Sequence, residues 1–119
     1  MRSDIVDDIV VEKLSRLKAY LALCRRYCER GIQYRGDSYS IRYVAIGIHR
    51  LLQELHSLGT VLRPSSTECE KTLELLHCIG EAMMVARYSE YTDDQIMRTL
   101  CTVCPCIELA IAEKLKQFH

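Results

Sequence analysis

Three cysteines surround one proline in the stretch MRTLCTVCPCIELAI, residues 97–111. Cys101 and Cys104 form a C-x-x-C pair, and Cys24 and Cys28 lie four residues apart nearer the N-terminus. Thiols in such pairs can bind zinc, exchange disulfides or act as small apolar core residues. A structural zinc site commonly takes two pairs on sharp turns, and the chain has one C-x-x-C. We therefore expect buried core thiols, with a four-thiolate zinc site across the two pairs as the first alternative and redox or nucleophilic chemistry as the second.

Four segments must position these residues, because apolar side chains recur along each of them in alternating steps of three and four, the spacing of a buried helix face. The segments are residues 4–30, 41–58, 66–86 and 93–118. Capping boxes, Ser65 with Glu68 and Thr92 with Gln95, mark the starts of the third and fourth. The third has the widest apolar face, so we expect it to be the most buried, and Gly80 within it predicts close helix packing.

The links between these segments are short, and an alternating strand pattern is absent from the sequence. Short links between long helices favour antiparallel neighbours. The sequence therefore predicts an all-α, up-and-down bundle of four long helices, or of five if Pro105 splits the last. Residues 1–119 are expected to form a single domain, a length that can bury a core without a metal or a disulfide.

Composition points to a folded chain, with 49% hydrophobic and 27% charged residues. The N-terminal MRSDIVDDIV lacks the pattern of a secretory signal, and no run approaches the roughly 18 uninterrupted apolar residues of a membrane span. We expect a cytoplasmic protein with no membrane partner. In that reducing compartment the seven cysteines, an odd number, are expected to be free thiols, with Cys106 the most exposed.

Charge is unevenly distributed along the chain. Residues 11–63 hold ten Lys and Arg against four acidic residues, whereas residues 1–10 and 64–119 carry net charges of −2 and −4. Within this basic lobe, most densely in residues 13–50, arginines interleave with tyrosines, a mixture that can pair with phosphates and stack on bases. Tyr and Arg also dominate protein–protein binding. The predicted binding residues are Arg25, Arg26, Tyr27, Arg30, Tyr34, Arg35, Tyr39 and Arg42.

The C-terminal stretch DDQIMRTLCTVCPCIELAIAEKL resembles the general helix-turn-helix motif, with a short helix, a turn and a proline-started helix in succession. The resemblance implies DNA binding. The reading positions, however, hold Cys104, Cys106, Glu108 and Leu109, which offer no Arg, Asn, Gln or Lys to bases or phosphates. We therefore prefer a bundle helix that contains a proline.

The histidines form two incomplete patterns. Arg42 with His49, and Arg50 with His56, resemble the spacing in helical HEPN-type ribonucleases, but the polar residue that usually follows the arginine is missing. We expect both histidines on a solvated helix face. One E-x-x-H, at residues 74–77, lacks the second copy that a ferritin-like di-metal bundle needs. We predict no catalytic residue, metal or cofactor.

A well-specified bundle without a complete catalytic pattern favours a small non-enzymatic regulatory or adaptor protein. We expect it to bind another protein through the Arg and Tyr surface of the basic lobe, and to form homo-oligomers. The alternative is a regulator that binds nucleic acid through that lobe or through the degenerate helix-turn-helix.

Overall fold

The computed structural model describes residues 4–30, 40–63, 66–85 and 91–118. They form four helices, α1 (Asp4–Arg30), α2 (Ile41–Ser57), α3 (Thr67–Val85) and α4 (Asp93–Lys116), and these ranges contain no strand. The predicted all-α four-helix bundle is confirmed. α4 continues through Pro105, so the five-helix alternative does not apply.

Helices that follow one another in the chain pack as antiparallel neighbours, and α4 closes the ring against α1. α2 and α4 also touch across the diagonal, whereas α1 and α3 make no contact within the described ranges. The residue pairs that show these directions are Lys13 with Glu54, Cys28 with Cys101, Cys69 with Cys106 and, across the diagonal, Arg42 with Asp93. The bundle is therefore a ring with one short diagonal, and α3 lies opposite α1.

The core is built mainly by α1, α2 and α4. Along α1 the buried seam keeps the predicted spacing through Cys24, but it then continues to Tyr27 rather than to Cys28. Steps of three and of four from Cys24 both satisfy a helical period, so the pattern could not choose between them. The buried apolar residues of these three helices are Val10, Leu14, Leu17, Leu21, Cys24, Tyr27, Ile41, Val44, Ala45, Ile48, Leu51, Leu55, Ile96, Leu100, Val103, Cys104, Ile107 and Ile111.

α3 is not the most buried helix, contrary to the prediction from its wide apolar face. Its fully buried positions are Leu76, Ile79 and Gly80, while Leu75, Met84 and Val85 are 43%, 46% and 87% exposed. α3 packs on the same two helices as α1, namely α2 and α4, but less extensively, so a narrow strip of its surface is covered. Apolar side chains on the rest of the helix face outward.

The helix ends follow capping chemistry. At α4, Thr92 Oγ1 accepts from the Gln95 amide at 3.2 Å and Gln95 Oε1 accepts from the Thr92 amide at 2.8 Å, which confirms the predicted capping box. At α3 the cap lies one residue later than predicted, because Ser66 Oγ accepts from the Cys69 amide at 3.1 Å. Ser65 lies outside the described residues. α2 ends in a Schellman turn at Gly59, whose φ is +82°.

Gly80 marks a close approach between α2 and α3, as its place in the helix predicted. A Cβ added there would lie 2.6 Å from Cδ2 of the His49 ring and 2.8 Å from His49 Cβ. Gly47 on α2 has a similar neighbour, since a Cβ there would lie 2.9 Å from the Tyr20 hydroxyl. The two glycines differ in the part of the neighbouring side chain that lies close to them. Gly80 faces the part of His49 nearest its backbone, whereas Gly47 faces the far end of the Tyr20 side chain.

One helix of the described residues, α4, is long and apolar enough to cross a membrane by length and composition, and 39% of its most apolar window is buried. A core helix of a bundle meets the same criterion, and α4 supplies seven buried residues to this core.

Gly80→Ala is expected to destabilise the protein although alanine is the better helix former. Overpacking against the backbone end of His49 should cost about 1–3 kcal/mol of unfolding free energy. Gly47→Ala is the matched control: it gains about the same helix propensity, roughly 1 kcal/mol, and needs the phenol end of Tyr20 to move. Urea unfolding of both variants measures the difference. Equal stabilities would contradict the close contact at Gly80.

Candidate functional site

The arginines predicted to bind a partner are partly engaged within the bundle. Arg25 forms an ion pair with Glu108 of α4. Arg42 pairs with Asp93 through Nε at 2.7 Å, and its terminal nitrogen donates to the Tyr91 carbonyl at 2.7 Å. These contacts join α1 and α2 to α4, so part of the positive charge in the basic lobe is compensated by acids of the second half of the chain.

The remaining predicted binding residues are dispersed. Tyr27 is 2% exposed and belongs to the core, so its ring is not available for stacking on a ligand. Arg26 and Arg30 are exposed at the end of α1. The other three predicted residues, Tyr34, Arg35 and Tyr39, lie outside the described residues. Among the described residues the predicted Arg and Tyr surface is therefore reduced to arginines at the end of α1 and the start of α2.

Four of the seven cysteines form disulfides, which corrects the expectation of free thiols. Cys28 is bonded to Cys101 and Cys69 to Cys106, with Cα–Cα distances of 5.8 and 6.4 Å. Both distances lie within the range that a disulfide spans. Each bond joins α4 to a neighbouring helix. Cys106, predicted to be the exposed thiol, is thus bonded.

The structure brings together the two cysteine pairs that sequence analysis singled out. Cys24 and Cys104 are buried free thiols, as the core interpretation predicted. Because Cys28 and Cys101 are bonded to each other, two of the four thiolates of the zinc alternative are not available. A hydrogen bond with Cys104, followed by burial, raises the pKa of the Cys24 thiol well above its ordinary value. A thiol held protonated in this way is a poor nucleophile.

A cavity with a volume of about 560 Å³ lies between α2, α3 and the segment that follows α2. This volume is within the range of about 300–1,000 Å³ that is typical of small-molecule sites. Four leucines and a valine form the apolar part of its walls, and the polar part comes from three histidines with a glutamine, a serine and a threonine. The lining residues are His49, Leu52, Gln53, His56, Ser57, Thr60, Val61, Leu62, Leu73, Leu76 and His77.

Two of these histidines and one carboxylate form a compact cluster at the edge of the cavity. His49 Nε2 lies 3.0 Å from Glu81 Oε1, and the ring centroids of His49 and His77 are 4.9 Å apart. Ligand atoms of all three residues lie within 4.8 Å of one another. The His49 ring is 2% exposed, whereas Glu81 is 46% exposed. The arrangement thus has one buried ligand and two that solvent reaches.

Helix geometry and hydrogen bonds position this cluster. His77 and Glu81 are four residues apart on α3, so they lie on one face of the helix. Gly80, between them in sequence, leaves room for the His49 ring to reach across from α2. Gln53 Nε2 donates to Glu81 Oε1 at 2.8 Å. Hydrogen bonds from His49 and then Gln53 lower the pKa of Glu81, which keeps its carboxylate ionised at neutral pH.

Sequence reasoning missed this cluster because it placed His49 on a solvated face of the second helix. The signal that could have found it is the spacing His77-x-x-x-Glu81 around a glycine in an apolar helix. A glycine there indicates that another helix approaches closely. His49 lies on the antiparallel neighbour α2, at the level of this glycine.

Neither the models of known protein families, nor the curated proteins, nor the solved structures match this chain.

Thiol titration with Ellman's reagent tests the cysteine assignment. Folded protein purified in air without reductant, at a concentration low enough to keep it monomeric, is expected to react at one thiol, Cys78, because Cys24 and Cys104 are buried. In denaturant three thiols should react, and after reduction seven. Cys78→Ser is the control and should abolish the reaction of the folded protein. Seven reactive thiols in denaturant without reduction would contradict both disulfides.

Proposed function

We propose that this chain is a small non-enzymatic regulatory or adaptor protein that works by protein–protein binding and associates with a second copy of itself through α3. The observation that carries the proposal is a line of apolar residues on the outer surface of that helix. This α3 seam consists of Leu75, Cys78, Ala82 and Val85. The bundle leaves Leu75, Cys78 and Val85 exposed and Ala82 half-buried.

The spacing of the α3 seam supports pairing with another helix. Its residues are separated by steps of three, four and three. This spacing places them in a continuous ridge on one face of the helix, as in helices that pack against a partner helix. Leu75 is 43% exposed and Val85 87% exposed, so the seam runs in solvent over about three turns. Isolated exposed apolar residues are ordinary, but a contiguous set in register indicates an interaction surface.

A second copy of this chain is the occupant that we favour. A two-fold dimer uses the same patch on both subunits, so the patch must complement itself. The α3 seam meets this requirement because it is apolar throughout and carries no charged residue that a two-fold axis would place against its own copy. Cys78, near the middle of the seam, is small enough to allow close approach of the partner helix.

Nucleic-acid binding has less support from the described residues. Arg25 and Arg42 are paired with Glu108 and Asp93, and phosphate binding would have to compete with these contacts. Tyr27 is buried in the core. Binding driven by phosphates weakens steeply between about 50 and 200 mM salt, so titration with single-stranded RNA and duplex DNA over that range separates this alternative from protein binding.

Val85→Glu is expected to shift the protein from dimer to monomer. A carboxylate placed in an apolar contact loses hydration without gaining a partner, so the dimer dissociation constant should rise at least about tenfold, which corresponds to 1.4 kcal/mol. Sedimentation equilibrium, or light scattering coupled to gel filtration, measures the mass over a concentration series.

Ile5→Glu is the matched control, because Ile5 is 72% exposed on α1, which makes no contact with α3. It should leave the mass unchanged. A monomeric wild-type protein, or equal effects of the two substitutions, would contradict self-association through the α3 seam. Urea unfolding of both variants shows whether each remains folded.

A further inference from the structure

We propose that His49, His77 and Glu81 form a binding site for a divalent transition-metal ion, with Zn²⁺ as the probe, and that the ion keeps one coordination position open toward the cavity between α2 and α3. The proposal is independent of self-association, since these three side chains are not part of the α3 seam.

The distances fit a single ion. Zinc binds histidine nitrogen and carboxylate oxygen at about 2.0–2.2 Å in tetrahedral geometry, which places neighbouring ligand atoms roughly 3.4 Å apart. His49 Nε2 and Glu81 Oε1 are 3.0 Å apart, and all three ligand atoms lie within 4.8 Å of one another. Small side-chain rotations of the two α3 residues are sufficient to bring the third ligand into the same sphere, because His77 and Glu81 are not enclosed by the core.

The ligand types indicate which ions bind. Imidazole suits zinc, copper, iron and nickel, while a carboxylate oxygen completes sites for zinc and for ferrous iron. Two histidines and one carboxylate are a ligand set found where a metal retains an exchangeable position. His49 and His77 both line the cavity of about 560 Å³, so a water or a small ligand in that cavity can reach the open position.

Surrounding residues hold the first ligands in place. Gln53 donates to Glu81 Oε1 at 2.8 Å and fixes the carboxylate. Gly80 allows the His49 ring to lie against the backbone of α3. Outer groups that orient ligands in this manner are a regular feature of metal sites.

A buried histidine with a carboxylate partner also occurs for purely structural reasons, and His77 distinguishes the two interpretations. A structural pair needs only His49 and Glu81. It assigns no role to His77, which is exposed yet lies with its ring 4.9 Å from that of His49. Metal binding requires all three, so substitution at position 77 separates the alternatives without disturbing the buried ring.

The experiment is calorimetric titration of the untagged, non-reduced full chain with Zn²⁺, together with Co²⁺ absorption spectroscopy. We expect one ion per chain and a rise in the melting temperature with added Zn²⁺, because a ligand that binds the folded state alone stabilises it. The Co²⁺ spectrum should show the visible bands of a nitrogen and oxygen site without an intense near-ultraviolet thiolate band. A thiolate band would assign the ion to the free cysteines and overturn the proposal.

His77→Ala and Glu81→Gln should each weaken Zn²⁺ binding at least about 10- to 100-fold, the loss that even outer-shell changes produce. Both side chains are solvent-accessible, so the variants are expected to fold, which circular dichroism checks. His56→Ala is the matched control: it removes a histidine of the same cavity that lies outside the cluster, and it should bind as the wild type does. Absence of Zn²⁺ binding, or wild-type affinity in His77→Ala, would overturn the site. Loss of binding in His56→Ala to the same extent as in His77→Ala would also overturn it.

Discussion

The contact between the His49 ring and Gly80 determines how α3 lies on the rest of the bundle. An imidazole buried in the interface between two helices needs space and a polar partner. The glycine supplies the space, and Glu81, one residue further along, supplies the partner at 3.0 Å. α3 therefore approaches α2 along a strip that includes one polar contact, and a short apolar pair, Leu76 and Ile79, completes its buried surface.

The remainder of α3 follows from this placement. A helix that is apolar over most of its circumference, yet covered along one strip, presents apolar side chains in two other directions. One direction faces the cavity, where Leu73 forms part of the wall. The other faces solvent and carries the α3 seam. The proposed metal site and the proposed dimer surface thus share one cause, the narrow packing strip of α3, although they use different side chains.

The sequence contains enough information for the architecture. The three-four spacing located all four helices, the Thr92–Gln95 box fixed the start of α4, and short links implied antiparallel neighbours. It could not rank the helices by burial, because periodicity records which residues are apolar and not how many neighbours surround them. α3 has the broadest apolar face, yet it packs on α2 and α4 less extensively than α1 does.

The site was less accessible to sequence reasoning than the fold. His49 and the α3 cluster residues are separated by some 30 positions, and nothing local to α2 marks His49 as buried. The predicted Arg and Tyr surface, in contrast, is smaller than the sequence indicated, because composition does not show which side chains have partners inside the bundle. Arg42 forms an ion pair with Asp93 across the diagonal. Tyr27 occupies a core position, although the helical spacing was equally consistent with Cys28. Cysteine pairing likewise required distances between helices.

Both disulfides have one end on α4, whereas the cysteine-free helix α2 is attached to the others by packing, by ion pairs, by hydrogen bonds and by chain connections. In the oxidised protein, α1, α3 and α4 are joined by disulfides, whereas the contacts that hold α2 to them are non-covalent. Reduction would remove this difference, because all four helices would then be held together by non-covalent contacts and by the chain itself.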